Sequence, residues 1–157
     1  MSSSTILLSA LAMISLGCGQ DLRQEPNTAP PDAQAEALTI AGPAAIQCGK
    51  AQARWGQDWT AVKAVSNCVL RAQEKNKAFV AELELLGVDT SIDTVYSRDS
   101  VGHSSELWNG KVATFHQTCV GKRSCGSFGE DFSHSDGTNP SGLSCQLAQE
   151  ATGECTR

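Results

Sequence analysis

The sequence predicts an α+β domain, with one helix packed on an antiparallel three- to four-stranded meander and a disulfide-rich irregular C-terminal region. Three observations carry this. Apolar residues recur every three or four positions from Trp55 to Ala72, the period changes to two after Asn76, and seven cysteines are spread over 157 residues. A chain this short builds only a small core once an export signal and a linker are set aside, so covalent staples are expected.

Composition narrows the partners. With 40% apolar and 18% charged residues and a net charge of -5, the chain offers no broad basic surface for phosphates. Nucleic acid is therefore not expected as a partner. The basic pair Lys122-Arg123 stands alone and reads as a solvated pair without a role.

Residues Ile6 to Leu16 form an uncharged, largely apolar run of 11, the length of a signal-peptide core and too short to span a bilayer. Gly17-Cys18-Gly19 follows at once. Together these residues resemble the signal of bacterial lipoprotein precursors, in which a small residue precedes a cysteine that is acylated and becomes the first residue. Ser15 stands where that family usually carries Leu, and no Lys or Arg precedes the apolar run. The resemblance covers residues 1–18. It implies a signal peptide over 1–17, palmitate-bearing lipidation at Cys18, and a membrane partner reached through the lipid. Gly19 in place of an inner-membrane retention aspartate implies the outer membrane of the cell envelope.

Residues 18–45 carry Pro26, Pro30, Pro31 and Pro43 among Ala, Gln, Asp and Glu, and read as a disordered linker with a reach of about 30 Å. Leu38-Thr39-Ile40 is its one patch able to pack on the domain, which is expected over residues 46–157. Setting Cys18 aside leaves Cys48, Cys68, Cys119, Cys125, Cys145 and Cys155. An even count in an oxidising compartment favours three disulfides, and Cys48 with Cys68 is the expected first pair. It would clip the segment entering the helix onto the helix, worth about 3 kcal/mol by loop closure. A metal reading would group Cys119 and Cys125 with His116 and His134, but their spacing is wider than the tight knuckles of structural zinc. No metal or cofactor is expected.

Trp55, Trp59, Val62, Val65, Val69 and Ala72 give the apolar stripe of a helix over Asp58 to Lys75, with Asp58 as cap and Asn76 as left-handed stop. Phe79, Ala81, Leu83 and Leu85 alternate with Glu82 and Glu84 as a first strand, and Ile92, Thr94 and Tyr96 continue as a second. Arg98 to Gly102 reads as a turn. Ser105 to Trp108 is a third strand that ends at Asn109-Gly110, a strong hairpin signal leading into a fourth over Val112 to Thr118. The tail from Gly121 to Arg157 reads as irregular, with a short strand within Leu143 to Gln149. This order of elements is similar to the cystatin-like and PepSY-like folds, and the exported domain resembles small lipoproteins as a class. Neither likeness implies an activity.

Chemistry is sparse. Asp131, Ser133, Ser135, Asp136 and Gly137 resemble a calcium loop out of register, with Gly142 where the bidentate glutamate belongs. His103 with Ser104, Ser105 and Asp99 supplies the residue types of a hydrolase without its geometry, since neighbours on a strand face opposite ways. Glu82, Glu84, Asp93 and Glu106 are read as an acidic patch. The sequence thus favours a tethered module that binds an envelope protein or a small ligand over a small envelope enzyme of the hydrolase type. Metabolic labelling with a palmitate analogue should mark the wild-type chain and miss a Cys18→Ala variant; equal labelling of both would refute the anchor.

Overall fold

The computed structural model describes residues 32–54, 58–132, 142–149 and 151–156, so Cys18, Trp55 and His134 lie outside the described residues. The chain runs through α1 (Ala33–Ala41), β1 (Ile46–Arg54), α2 (Thr60–Glu74), β2 (Phe79–Leu86), β3 (Thr90–Arg98) and β4 (Ser104–Val112). A 3₁₀ turn (Ala113–Phe115) leads on to β5 (Gln117–Cys125), β6 (Ser127–Asp131), β7 (Gly142–Gln146) and β8 (Thr152–Thr156). Six strands form one sheet in the order β1-β2-β3-β4-β5-β8, and β6 pairs with β7 in a separate hairpin. Among the described strands only β1 and β2 run parallel, joined by α2 as crossover. The fold is therefore mixed α/β around a large, mostly antiparallel sheet. No described helix is long and apolar enough to cross a membrane.

The described residues hold two α-helices where the sequence predicts one. The linker reading of residues 18–45 fails in its last part, where Asp32 caps α1 by accepting from the Gln34 amide at 3.0 Å. Ala33, Ala37 and Ala41 recur every four residues, and this small-residue face settles closely onto Val80, Val95 and Leu107. Alanines carry little hydrophobic signal, so the stripe is invisible as amphipathicity. Gly42, at φ 82°, ends the helix in a conformation open to glycine.

Helix α2 buries Val62, Val65, Val69 and Ala72 on the opposite face of the sheet. Asp58 sits two residues before it and accepts from both the amide and hydroxyl of Thr60, at 2.9 and 2.6 Å. Asn76, at φ 50°, stops it. In β1 the pairing steps from Gln47↔Val80 to Gly49↔Ala81, leaving Cys48 as the extra residue of a bulge. Cys48 is bonded to Cys68 of α2.

The meander differs from the sequence reading at its third turn. Asn109-Gly110 does not form the hairpin; it lies inside β4, paired to Asp93 and Ile92 on one side and to Val120 and Cys119 on the other. A ladder on both edges outweighs the local turn preference, and the reversal comes later, with His116 taking the left-handed conformation. The tail is also not irregular. The short strand expected within Leu143 to Gln149 is β7, while β6 and β8 bury few side chains, chiefly Phe128, and leave no alternating pattern to read.

Cys125 is bonded to Cys145 and Cys119 to Cys155, tying β7 and β8 to β5. Strand β8 exposes every residue along its length. It is held by its ladder to β5 and by one bridge. Replacing Cys119 and Cys155 by Ser together should therefore cost less than the loop-closure figure of about 4 kcal/mol, because β8 detaches without opening the core. Hydrogen exchange should become fast at Thr152–Thr156 and stay slow in β2–β4; retained protection in β8 would show that the ladder suffices.

Candidate ligand-binding cleft

Helix α2 covers the β1–β2 side of its face, and the β6–β7 hairpin covers the middle. The hairpin is pinned by polar contacts inside an apolar layer. Ser66, fully buried, donates to the Gly142 carbonyl at 3.0 Å. The Gln73 amide pairs with Phe128 like a strand neighbour, donating to its carbonyl at 3.1 Å and accepting from its N–H at 2.8 Å. Tyr96, 1% exposed, donates to the Leu143 carbonyl at 3.4 Å and meets Phe128 edge-on at 5.3 Å. Burial pushes the Tyr96 phenol far above its ordinary range, so it stays a hydrogen-bond donor.

Between α2, the hairpin and the β2–β3 end of the sheet lies a cleft of about 370 Å³. Trp59, Leu85, Leu86 and Ile92 form its apolar walls, and Tyr96, Glu106, Arg123 and Asp131 bring polarity to it. Glu106 and Arg123 face each other across β4 and β5. Both Nε and Nη2 of Arg123 donate to the same oxygen, Oε2, at 2.8 Å. The guanidinium is steadied from beyond the cleft by the Trp108 ring, 5.9 Å away. Trp108 lies where a side chain at Gly121 would have to be, so this glycine makes room for the indole on the sheet. Burial raises the Glu106 carboxyl above its ordinary range, with Arg123 opposing the shift.

The other sequence candidates are not brought together. His103 Nδ1 meets Asp99 Oδ2 at 2.9 Å in the β3–β4 turn, where the ring is 82% exposed. Asp99 also accepts from three backbone amides there, at Val101, Gly102 and His103. Ser104 is buried beneath Arg98, which donates to its hydroxyl at 3.3 Å, and Ser105 belongs to the other face. His116 lies in a shallow depression with Asp89 and Lys111. Cys119 and Cys125 belong to different disulfides and present no thiolate. The disulfide sulfurs of Cys125 and Cys145 beside Glu106 are closed to a metal for the same reason. The calcium-loop residues Ser133, Ser135, Asp136 and Gly137 lie outside the described residues, while Asp131 and Gly142 are cross-strand partners.

Three further readings change. The acidic patch divides: Glu82, Glu84 and Asp93 share the α1 face with Lys50, which bonds Glu82 at 2.5 Å, whereas Glu106 is on the cleft face. Lys122 and Arg123 are not an unengaged pair, because Lys122 reaches Glu36 of α1 at 3.2 Å and Arg123 binds Glu106. Trp59 is half-buried, packs against the edge of the core and also lines the cleft. Alternation along β4 could have flagged Glu106 as inward-facing beside Trp108, but only the register reveals its partner. A second depression, about 400 Å³ and more open, runs beside α1 over Val120 and the Glu36–Lys122 pair.

The chain matches no family model, no curated protein and no solved structure.

The carboxyl groups titrate in opposing directions. Burial raises Glu106, and burial together with Glu84 raises Asp93, so each binds its proton more readily folded than unfolded. Their protonation adds stability as pH falls into the range just above ordinary carboxylate values. Asp58 is held low by its two bonds to Thr60. Asp99 also sits low, since its amide and His103 bonds together outweigh the larger single push of desolvation. Both contribute stability that is lost only as pH falls through their lowered values. The melting temperature should therefore peak at mildly acid pH, and Glu106→Gln should flatten the rise between neutrality and that peak. A melting temperature that falls steadily from neutrality would contradict these directions.

Proposed function

We propose that the chain is a lipid-anchored cell-envelope module that binds a small ligand in the cleft between α2, the β6–β7 hairpin and the sheet. The carrying observation is the cleft itself, in which Trp59, Leu85 and Ile92 leave an apolar wall open beside a partly buried ion pair. Apolar clefts with a few convergent polar groups are the usual form of small-ligand sites. The lipobox-like sequence at Cys18, the disulfides, which persist in oxidising compartments, and the stretch between Cys18 and α1 support placement at the envelope, in the outer membrane by the residue after the cysteine. The binding reading is preferred to a hydrolase because neither His103 nor His116 lines the cleft.

N-phenyl-1-naphthylamine, an uncharged apolar fluorophore, tests the site. It should brighten saturably on the wild-type chain. Ile92→Trp fills the cleft at a position already 40% exposed, so it should leave melting unchanged while weakening the probe about tenfold or more. Wild-type binding by that variant would place the site elsewhere.

A further inference from the structure

Helix α1 gives the domain a direction relative to its N-terminal side. Glu36 bonds Lys122, which stands opposite Leu107, and Ile40 borders Ser105 and Ser124, two rungs nearer the β3–β4 turn. The chain then enters β1 at Ile46, beside Phe79 at that same end. The helix therefore runs down the sheet, and its first residue faces the opposite end, where the β2–β3 and β4–β5 turns lie. The stretch from Cys18 to Asp32 spans at most about 50 Å, so a lipid at Cys18 keeps this end of the sheet near the bilayer.

Those two turns carry exposed apolar side chains. Val88 is wholly exposed and Phe115 is 68% exposed. The turns are joined where the Ala113 N–H donates to the Asp89 carbonyl at 2.8 Å. The Gly87 and His116 amides are bonded as well, to the Thr90 and Ala113 carbonyls, so these three donors need no water at a lipid surface. Asp89 and Lys111 carry opposite charges beside them, which leaves apolar contact as what the tip offers. Val101 and Leu147 are also exposed, but at the end away from the start of α1. Two side chains hold a free domain on lipid only weakly. A tether that confines them beside a bilayer raises their effective concentration and makes the contact count.

We propose that the β2–β3 and β4–β5 turns rest on the bilayer that holds the anchor, with Val88 and Phe115 seated at its headgroup boundary. This rests on the lipid-anchored reading and adds to it how the domain is seated. Gly87 and Thr90 also line the cleft, so the same seating brings that end of the cleft to the lipid.

The test uses the full chain coupled through Cys18 to a maleimide lipid in phosphatidylcholine vesicles, since the other cysteines are bonded in pairs. Coupling does not depend on whether cells acylate Cys18, so palmitate labelling judges the anchor and this measurement the seating. Val88→Trp, Phe115→Trp and Val101→Trp each add an indole at an exposed position, and the wild-type emission is subtracted. With acyl-brominated lipid the added emission at 88 and 115 should fall about twofold or more, since side chains at the headgroup boundary lie beside the bromines. The emission at 101 should not change. Quenching at 101 alone would turn the domain over, and equal quenching at all three would mark contact without orientation; either overturns the proposal. Quenching at none would leave the turns to a protein partner and overturn it too. Should a variant fail to fold, spin-labelled lipid on the coupled wild-type chain decides the matter. Broadening of the Val88 methyl signals with those of Val101 spared supports the seating, and any other pattern rejects it.

Discussion

The docking of the β6–β7 hairpin onto the sheet is the contact on which the rest of the molecule depends. A six-stranded sheet presents two faces, and the two helices are too short to cover both. Helix α2 covers the β1–β2 side of its face, and Phe79, Tyr96 and Leu83 would be left partly wet without Phe128 and Leu143 above them. Burial of such side chains is worth about 1.5–3 kcal/mol each, a sum that a small domain cannot forgo. The hairpin is itself only five residues a side, and two strands alone are marginal in water. It stays because Gln73 and Ser66 satisfy its backbone where it meets α2, and because Cys125–Cys145 joins it to β5.

That same docking makes the cleft. Gly142 approaches α2 so closely that a Cβ there would clash with Val62, which draws the start of β7 against the helix. Leu143 and Ser144 then border an opening toward Leu85 and Ile92 that neither helix nor hairpin fills. The opening is a consequence of covering a wide sheet with short elements.

The sequence made the elements legible and the register illegible. Alternation at Phe79–Leu85 and Ile92–Tyr96 and the valine stripe of α2 are strong because Glu82, Glu84 and Asp93 interrupt the opposite face of the sheet, although α1 covers Val80 and Val95 there, so the expected wet face is wet only in part. Helix α1 escaped because it packs through alanines; of the tail, the short strand within Leu143 to Gln149 is present as β7, β6 escaped because it buries little beyond Phe128, and β8 escaped because a backbone ladder and a sulfur bridge hold it with every side chain exposed. The site was hidden for a different reason. A turn at Asn109-Gly110 would have set Glu106 opposite Ala113; the longer β4 sets it opposite Arg123. Cross-strand identity depends on where the chain reverses, so one misplaced turn erased both members of the pair.

A buried carboxylate and a partly exposed guanidinium paired beside apolar walls add little to stability, since lost hydration and solvent screening offset most of their attraction. An apolar substitute of similar volume would close the cleft at no great cost. The pair's physical effect is on what can enter: in the proposed reading, a wall of Trp59, Leu85 and Ile92 favours an alkyl or aromatic body, while Glu106, Arg123 and Asp131 set the polar side of the cleft. Trp108, seated over Gly121, lies against the Arg123 guanidinium and steadies the pair. Selectivity would then come from a sheet register and two rows of cross-strand neighbours, with the sulfur bridges holding that register against the edges.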